Sequence, residues 1–188
     1  LDEENELQLI IGRNPVIEAL KAGKHIYAMA APATEGQFGV DITMASWKKA
    51  MKEMGFTDFY DVGLGGDMTA AYEAEEWAEA YKEGNKKVTS CCPAWVNFFE
   101  HHFPDMLDIP STARSPQQMF GSIAKTFWAK KMGIPREKLV VVSIMPCLAK
   151  KYECDREEFK TDGNPDVDYS ISTRELARLI RRANIGFT

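Results

Sequence analysis

The apolar run KLVVVSIMPC, at residues 138–147, restricts the fold of this chain more than any other segment. It shows no alternation between polar and apolar residues until Ser143, and this continuity is typical of a strand with two buried faces. Such strands occur in parallel sheets that are covered by helices on both sides. The run therefore predicts an α/β fold with a mostly parallel sheet.

The rest of the chain alternates between predicted strands and helices, as an α/β fold requires. Further strands are predicted at residues 25–32 (HIYAMAAP), 56–63 (FTDFYDVG), 86–90 (KKVTS) and 166–171 (DVDYSI). Helices are predicted at residues 43–54, 68–84, 115–133 and 173–183. The expected fold is therefore α/β, with mostly parallel sheets flanked by helices.

The second predicted helix follows a glycine-rich segment, residues 63–66, which is interpreted as a loop at the end of a strand. Its apolar residues recur at helical spacing and predict a buried face. These residues are Ala70, Ala74, Trp77 and Tyr81. The glycine segment lacks the full G-x-G-x-x-G spacing of a dinucleotide site, so no nucleotide cofactor is expected.

The predicted helix at residues 115–133 begins with Ser115 as its N-cap. Its expected buried face is apolar and consists of Met119, Ile123 and Phe127. The last predicted helix opens with a capping box, because Ser172 and Glu175 stand three residues apart at its start.

Charge and cysteine content exclude several classes of protein. The net charge is −5 with no basic cluster, which argues against nucleic acid or an anionic membrane surface as a partner. No apolar run approaches the roughly 18 residues of a membrane span, so no membrane insertion is expected. No secretory signal is visible. Four cysteines are too few for a disulfide scaffold and favour free thiols or metal ligands in a reducing, cytoplasmic compartment.

The unusual residues of the chain follow its predicted strands. Ligands of open α/β sheets bind beyond the carboxyl ends of the strands. Those ends carry Ala31 and Pro32, the glycines at 63–66, the cysteines at 91–92, and the pair at 146–147. We therefore expect these segments to lie on one side of the molecule.

Two of the four cysteines are candidate metal ligands. Cys92 and Cys147 each follow a predicted strand and adjoin a proline, so both lie where the backbone turns sharply. A zinc site normally shows a close C-x2-C pair, which is missing, and a disulfide is disfavoured in the cytoplasm. Two thiolates from two loops would hold half of an iron–sulfur cluster, which usually takes four. Cys154 lies in a polar segment and is interpreted as an inert, small hydrophobic residue.

Charged residues near these segments allow two interpretations. Glu73 and Glu76 lie three residues apart on a predicted helix, with Glu73 at the edge of its buried face. They either solvate the helix or relay protons. Lys150 and Glu153 follow Cys147 and form either a solvated charge run or, at a metal site, a donor to an anionic ligand.

Two longer motifs indicate a family. TSCCPAW at residues 89–95 and MPCLAKKYE at residues 145–153 resemble the first two signature segments of the iron-only (FeFe) hydrogenase catalytic domain. STARSPQQMFG and DVDYSISTRELARLI, at residues 111–121 and 166–180, are also similar to that family. The resemblance covers the chain from about Ile26 to Ile185.

The resemblance implies an H-cluster, in which a four-iron cubane is joined through a cysteine to a two-iron subsite with CO, cyanide and a bridging dithiolate. By the same resemblance, Cys92 and Cys147 ligate the cubane. Cys91, whose side chain points away from that of its neighbour, is the proton donor beside the two-iron subsite.

The resemblance assigns roles to further residues. Lys150 is similar to the lysine that binds a cyanide ligand, and Met145 to the methionine near the two-iron subsite. Ala31 and Pro32 resemble the pair that lines a second cyanide pocket, and Gln117 resembles a pocket-lining glutamine.

A proton relay is also implied. Glu73, Ser111 and Glu76 resemble the carboxylate–serine–carboxylate series that carries protons from Cys91 to solvent. The family usually has glycine at the position of Ala94, a small change that need not disturb the turn.

The family's third signature segment, with two more cysteines, has no counterpart in this sequence. We therefore expect the chain to be the N-terminal half of a two-lobed catalytic domain, with the cluster between the lobes. Residues 1–85 are expected in the first lobe and residues 86–188 at the start of the second. The implied partners are the C-terminal half or a complementary subunit, ferredoxin or another electron carrier, and maturation proteins.

The function expected from the resemblance is a hydrogenase, which reversibly reduces protons to dihydrogen when the two halves combine. One alternative is a hydrogen-sensing relative that keeps the cluster but turns over slowly. Another is an iron–sulfur carrier protein without the two-iron subsite. The proton relay favours catalysis over sensing, and Lys150 and Met145 favour a cyanide-bearing site over a carrier.

Overall fold

The computed structural model describes residues 14–22 and 24–186, which form both helices and strands. The helices are α1 (Asn14–Lys21), α2 (Met44–Glu53), α3 (Gly63–Lys82), α4 (Pro93–His102), α5 (Pro116–Ile123), α6 (Ala129–Met132), α7 (Ala149–Asp155) and α8 (Thr173–Ala183). The strands are β1 (His25–Ala30), β2 (Asp58–Asp61), β3 (Leu139–Met145), β4 (Lys160–Thr161), β5 (Asn164–Pro165) and β6 (Tyr169–Ser172).

The main sheet has four parallel strands in the order β2-β1-β3-β6, and β4 and β5 form a separate antiparallel pair. Ala28 of β1 pairs with Phe59 of β2 on one side and with Val142 of β3 on the other. Every residue of β3 is buried, as the continuous apolar run predicts. The α/β prediction with a parallel sheet is confirmed.

Both faces of the sheet carry a hydrophobic core, because successive side chains of a strand point to opposite faces. Ile26 and Ala28 pack with residues of α1, α2 and α8. Tyr27 and Met29 pack on the other face with Phe120 of α5. The helices therefore cover both faces of the sheet. A site can form where the strands end, from the loops that follow them.

The glycine segment 63–66 was predicted to be a loop, and this prediction is wrong, because α3 begins at Gly63. A Cβ atom at Gly65 would overlap the carbonyl oxygen of Pro116. Glycine at this position lets α3 approach the start of α5, and the two helices pack together.

The predicted apolar face of α3 is also wrong. Trp77 and Tyr81 are 55% and 71% exposed and stack on each other. The buried residues of α3 are instead Gly65, Thr69 and Ala80. Small side chains form the packing face because the neighbouring backbone lies close; Thr69 Oγ1 donates to the carbonyl oxygen of Arg114 at 2.8 Å.

The helix predicted at residues 115–133 is interrupted. A π-helical turn at Ala124–Trp128 separates α5 from α6 and rotates the following residues, so Phe127 of the predicted apolar face is 60% exposed. Lys125 is buried instead, and its Nζ donates to Asp168 at 2.8 Å. The N-cap at Ser115 is confirmed by its bond from the Gln118 N–H.

Three other predictions concern local structure. Residues 86–90 form no strand, and Val88 makes only an isolated bridge to Pro110. The strand predicted at residues 166–171 begins later, at Tyr169. The capping box is confirmed, because Ser172 Oγ accepts from the Glu175 N–H and the Glu175 carboxylate accepts from the Ser172 N–H.

The main sheet includes strands from both sides of residue 85, where the sequence placed a boundary between lobes. β1 and β2 precede this position, β3 and β6 follow it, and β1 lies directly beside β3. No helix among the described residues is both long enough and apolar enough to cross a membrane.

Candidate functional site

The site lies at the carboxyl ends of the sheet strands. The strands β1, β2, β3 and β6 are parallel, so their carboxyl ends all lie at the same end of the sheet. β1 leads into Ala31 and Pro32, and β3 leads into Pro146 and Cys147. The segments that follow these two neighbouring strands therefore begin side by side, as the sequence predicts.

Lys150 connects the two cysteine-containing segments. Its backbone N–H donates to the carbonyl oxygen of Cys147 at 3.3 Å, and its Nζ donates to the carbonyl oxygen of Cys91 at 2.9 Å. Cys92 is the N-cap of α4, and α4 packs against α7, which contains Lys150. Segments that lie more than fifty residues apart in the sequence thus meet at one lysine.

The Lys150 ammonium is anchored by a buried carboxylate. Glu153 is 3% exposed, and both of its oxygens accept from Lys150 Nζ at 3.2 Å. Its Oε2 also accepts from Ser115 Oγ and from Gln117 Nε2, each at 2.9 Å. The charges at residues 150–153 are therefore an ordered ion pair rather than a solvated run.

An ammonium group has three donors. The acceptor atoms around Lys150 Nζ are the Cys91 carbonyl oxygen and both carboxylate oxygens of Glu153, so they match these three donors. Lys150 can therefore bind an anionic group at the meeting point of the two cysteine segments only when one of these contacts gives way.

Gln117 lies behind Lys150 rather than on an open surface. It is fully buried, and its amide nitrogen donates to Glu153 and to the Lys150 carbonyl oxygen, while its amide oxygen accepts from Ser143 Oγ. The same nitrogen lies 3.3 Å from Cys154 Sγ. Burial raises the pKa of the Cys154 thiol, which stays neutral, in agreement with an inert cysteine.

Met145 and Ala31 belong to one apolar patch at the strand ends. Met145 is the last residue of β3 and is 5% exposed, within the core cluster against which Ala31 packs. The Ala31 N–H donates to the carbonyl oxygen of Ile144 at 3.2 Å. Pro32 is exposed and opens a short 3₁₀ turn. These residues form an apolar wall beside the cysteine segments.

Glu73 holds the backbone that leads to Cys91. Its Oε1 accepts from Thr89 Oγ1 at 2.8 Å and from the Ser90 N–H at 3.1 Å. Thr89 Oγ1 in turn accepts from the Cys91 N–H at 3.4 Å. Glu73 is therefore on the packed side of α3, where it fixes the turn before the cysteine pair.

Glu76 binds the segment around Ser111. Its Oε2 accepts from Ser111 Oγ at 2.5 Å, and both oxygens accept from the Thr112 N–H at 3.1 Å. Thr112 Oγ1 donates to Oε1. Burial raises the pKa of Glu76, but these hydrogen bonds and the nearby charge of Lys87 outweigh burial, so its pKa is lowered overall.

The relay residues form two hydrogen-bonded groups. Among the described residues, no hydrogen bond joins Glu73 to Ser111 directly. The two groups are connected through Ser90, whose Oγ donates to the Ala113 carbonyl oxygen at 3.0 Å. The structure therefore brings the predicted relay residues to neighbouring segments without a continuous chain of direct bonds.

The thiols of the site are available as metal ligands to different degrees. Cys92 and Cys147 are free and exposed, and Cys91 is half-buried. Within residues 14–22 and 24–186, no three His, Cys, Asp or Glu side chains form a metal site. The exposed thiols fit the donor chemistry of an iron–sulfur cluster, but they supply two of the usual four ligands.

Sequence reasoning missed several residues of the site. Thr89 binds Glu73 and Thr112 binds Glu76, and the buried network behind Lys150 includes Ser115 and Ser143. The sequence identified Ser115 only as the N-cap of a helix. The same hydroxyl also donates to Glu153.

The sequence profile of one family, described as the iron only hydrogenase large subunit, C-terminal domain, matches residues 24–188. The NADP-reducing hydrogenase subunit HndD of Solidesulfovibrio fructosivorans is 50% identical, over 92% of this chain and 32% of that protein. A cytosolic Fe-S cluster assembly factor NAR1 homolog of Schizosaccharomyces japonicus is 37% identical, over 53% of this chain and 19% of that protein.

Solved structures show the same fold. A variant of the apo FeFe-hydrogenase HydA1 from Chlamydomonas reinhardtii superposes with a TM-score of 0.84 at 29% identity, over 92% of this chain and 48% of that one. The chain thus spans about a third of the curated hydrogenase relative and about half of the solved structure.

Proposed function

Because the chain belongs to the iron-only hydrogenase large-subunit family, we propose that it forms part of a hydrogenase that reversibly reduces protons to dihydrogen at an H-cluster. The remaining cysteines come from a complementary C-terminal half, and the electrons from ferredoxin or a similar carrier. The observation that carries the proposal is the contact of Lys150 with both cysteine segments, at Cys91 and Cys147.

The residues at the strand ends would hold different parts of the H-cluster. Cys92 and Cys147 would supply thiolates to the cubane, and Lys150 would bind a cyanide ligand with a donor released from one oxygen of Glu153. Met145 and Ala31 supply the apolar wall, which limits access of water. When bound, the H-cluster supplies the redox chemistry that joins electrons to protons.

In this proposal, residues of this chain transfer the protons between the cluster and solvent. The Cys91 thiol exchanges a proton near the cluster, which an alkyl side chain cannot do. Glu73 holds the segment before Cys91 and accepts protons from that side. Ser111 and Glu76 share a hydrogen bond on the side of the solvent.

The test compares four cysteine variants of the chain, each matured together with a polypeptide that contains the family's third cysteine segment. Cys92→Ala and Cys147→Ala should lose most of the iron, because each removes one of about four cluster thiolates. Cys91→Ala should keep the iron and lose nearly all hydrogen production. Cys154→Ala, which removes a buried thiol, is the matched control and should change neither.

Iron content that is unaffected by Cys147→Ala would contradict the ligand assignment. Full activity of the chain matured alone would contradict the need for a complementary half. Infrared bands of iron-bound CO and cyanide in the wild-type protein should confirm the two-iron subsite.

A second candidate function is an iron–sulfur assembly factor. The identity with a NAR1 homolog over 53% of the chain favours it, since that protein is described as a cluster assembly factor. Such a protein needs no cyanide ligand, so its infrared spectrum would lack the CO and cyanide bands while iron remained bound. That result would favour the second candidate over the hydrogenase.

A further inference from the structure

A short segment separates two cavities beside Glu76. The inner cavity, of about 430 Å³, is lined in part by Ser90, Ser111 and Glu153. The outer groove, of about 450 Å³, lies between α3 and α5 and is lined in part by Glu76. Residues 112–114 line both, so this segment is the wall between them.

The carboxylate of Glu76 has a different hydroxyl on each oxygen. Ser111, which lines the inner cavity, donates from its Oγ to Oε2 at 2.5 Å. Thr112 Oγ1 donates to Oε1, and Thr112 is exposed. The Thr112 N–H, at 3.1 Å from both oxygens, keeps the carboxylate in this orientation.

Glu76 itself lines the outer groove, and the packed side of α3 offers no further hydrogen-bonding side chain one turn beyond it. Ala80, one turn beyond Glu76 on the packed side of the helix, carries no hydrogen-bonding side chain. Lys87 fixes the wall from its other end, because its Nζ donates to the carbonyl oxygens of Asp108 and Pro110 at 2.7 and 3.3 Å.

We propose that the Thr112 hydroxyl passes protons between Glu76 and the outer groove, and so takes part in the connection of the relay with solvent. The inference rests on the proposed hydrogenase function and adds a residue to its proton path. Thr112 is a positioning and relay residue, since it acts through Glu76 and does not touch the cluster.

The proton transfer balances without any lasting change in these residues. Ser111 gives its proton to Glu76 Oε2 and takes a replacement from the interior. The neutral carboxyl group then rotates about its Cγ–Cδ bond, so that the protonated oxygen faces Thr112, and gives this proton to Thr112 Oγ1. The Thr112 hydroxyl, turned from Glu76 toward water, releases its own proton there in the same step. A hydroxyl group is suited to this step because it both donates and accepts.

The experiment replaces Thr112 by valine and by serine in the protein matured with its complementary half. Thr112→Val keeps the branched shape and the backbone N–H but removes the hydroxyl. We expect turnover to fall by at least about tenfold, with a larger solvent deuterium isotope effect and an unchanged KM for the electron donor. Thr112→Ser retains a hydroxyl and should recover most of the turnover.

A second readout uses the chain without the cluster. NMR titration of carbon-13-labelled glutamate should show a higher Glu76 pKa in Thr112→Val than in wild type, since one hydrogen bond to the charged form is lost. Thr112→Ser should titrate like wild type. Thr126→Val is the matched control, because the Thr126 hydroxyl is exposed and bonds only to Ser122 of its own helix.

Wild-type turnover in Thr112→Val would overturn the inference and leave the proposed function intact, and so would an unshifted Glu76 pKa. An equal loss in Thr112→Val and Thr112→Ser would also overturn it, because serine retains the hydroxyl. A wild-type protein that contains the cluster but produces no hydrogen would overturn the proposed function, and the inference with it.

Discussion

Glu153 and Glu76 are both helical glutamates with a charged residue three positions before them, but their surroundings are opposite. Glu153 is 3% exposed and is enclosed by donors from Ser115, Gln117 and Lys150. Glu76 is half-buried and faces an open groove. The carboxylate of Glu153 is engaged by donors from three side chains, whereas that of Glu76 is accessible and accepts from a hydroxyl group on each oxygen.

The contrast distinguishes a carboxylate that supports the site from one that is proposed to transfer protons. Glu153 holds the Lys150 ammonium beside the Cys91 carbonyl oxygen, so it supports the site by position. In the proposed relay Glu76 gains and loses protons, which its accessible carboxylate allows. Accessibility, rather than residue type or spacing, decides which of the two tasks a glutamate performs.

The largest expected effect comes from Glu153→Ala. The change leaves the Lys150 ammonium, which is 12% exposed, without its carboxylate and leaves Ser115 and Gln117 without an acceptor. Removing one partner of a buried pair lowers the free energy of unfolding by about 3–5 kcal/mol. Urea denaturation of the chain measures the loss.

Glu157→Ala provides the control. Glu157 also pairs with a lysine three residues away, Lys160, but its side chain is 85% exposed. Its loss should lower the free energy of unfolding by less than about 1 kcal/mol. Similar losses in the two variants would contradict the distinction between an enclosed and an open carboxylate.

The fold was largely predictable because burial of a strand on both faces leaves a continuous apolar run. β3 shows this run, and its neighbour β1 is similarly apolar and fully buried after its first residue. The packing face of α3 was not predictable from apolar spacing, since it consists of small and polar residues such as Gly65 and Thr69. Their burial depends on the close backbone of α5, which the local sequence does not reveal.

The site was predictable only in part, for a related reason. The cysteine segments stand out because two cysteines and a proline are consecutive at residues 91–93. The anchoring of Lys150 and the role of Thr112 depend on contacts with residues far away in the sequence. Thr112 lies 36 positions from Glu76, and Ser115 lies 38 positions from Glu153.

Gly65→Ala should shift α3 against α5, which displaces Glu76 and also moves the Ser115 and Gln117 donors of Glu153. An added Cβ would overlap the Pro116 carbonyl, which cannot move away without shifting α5. Such overpacking typically lowers the free energy of unfolding by about 1–3 kcal/mol. Gly66→Ala is the control, because no atom lies within 4 Å of its added Cβ and alanine favours helices. An equally stable Gly65→Ala chain would show that α3 and α5 are not in close contact.

Glu73 combines the roles of Glu153 and Glu76, since it holds a backbone turn and is also a proposed proton carrier. Glu73→Gln retains an oxygen that accepts from Thr89 and Ser90, whereas Glu73→Ala removes it. Loss of these bonds should lower the free energy of unfolding by about 1 kcal/mol in the alanine variant and by less in the glutamine variant. Alkylation of Cys91, followed by tandem mass spectrometry, should accelerate only in the alanine variant.

Turnover of the matured protein distinguishes the two roles of Glu73. Both variants should lose most activity if its carboxylate carries protons, because an amide cannot do so. Activity retained in Glu73→Gln would limit Glu73 to holding the turn before Cys91.

The smallest expected effect concerns pH. The pKa of Glu76 is lowered in the folded chain, because hydrogen bonds from Ser111 and Thr112 outweigh burial. A lowered pKa means that the carboxylate stabilises the fold above its ordinary pKa and that this contribution is lost as pH falls through the folded value. Since Glu76 remains accessible to solvent, the contribution is at most about 1 kcal/mol.

Glu76→Gln should therefore be less stable than wild type at pH 7, and the difference should shrink as the pH falls below about 4. Denaturation by urea at several pH values measures this difference, and Glu79→Gln, at an exposed position of the same helix, serves as the control. A difference that is constant with pH would show that Glu76 acts through packing rather than through its charge. Glu76 would then not differ from Glu153 by a role in proton transfer. Thr112 would have no titrating group to connect with the outer groove.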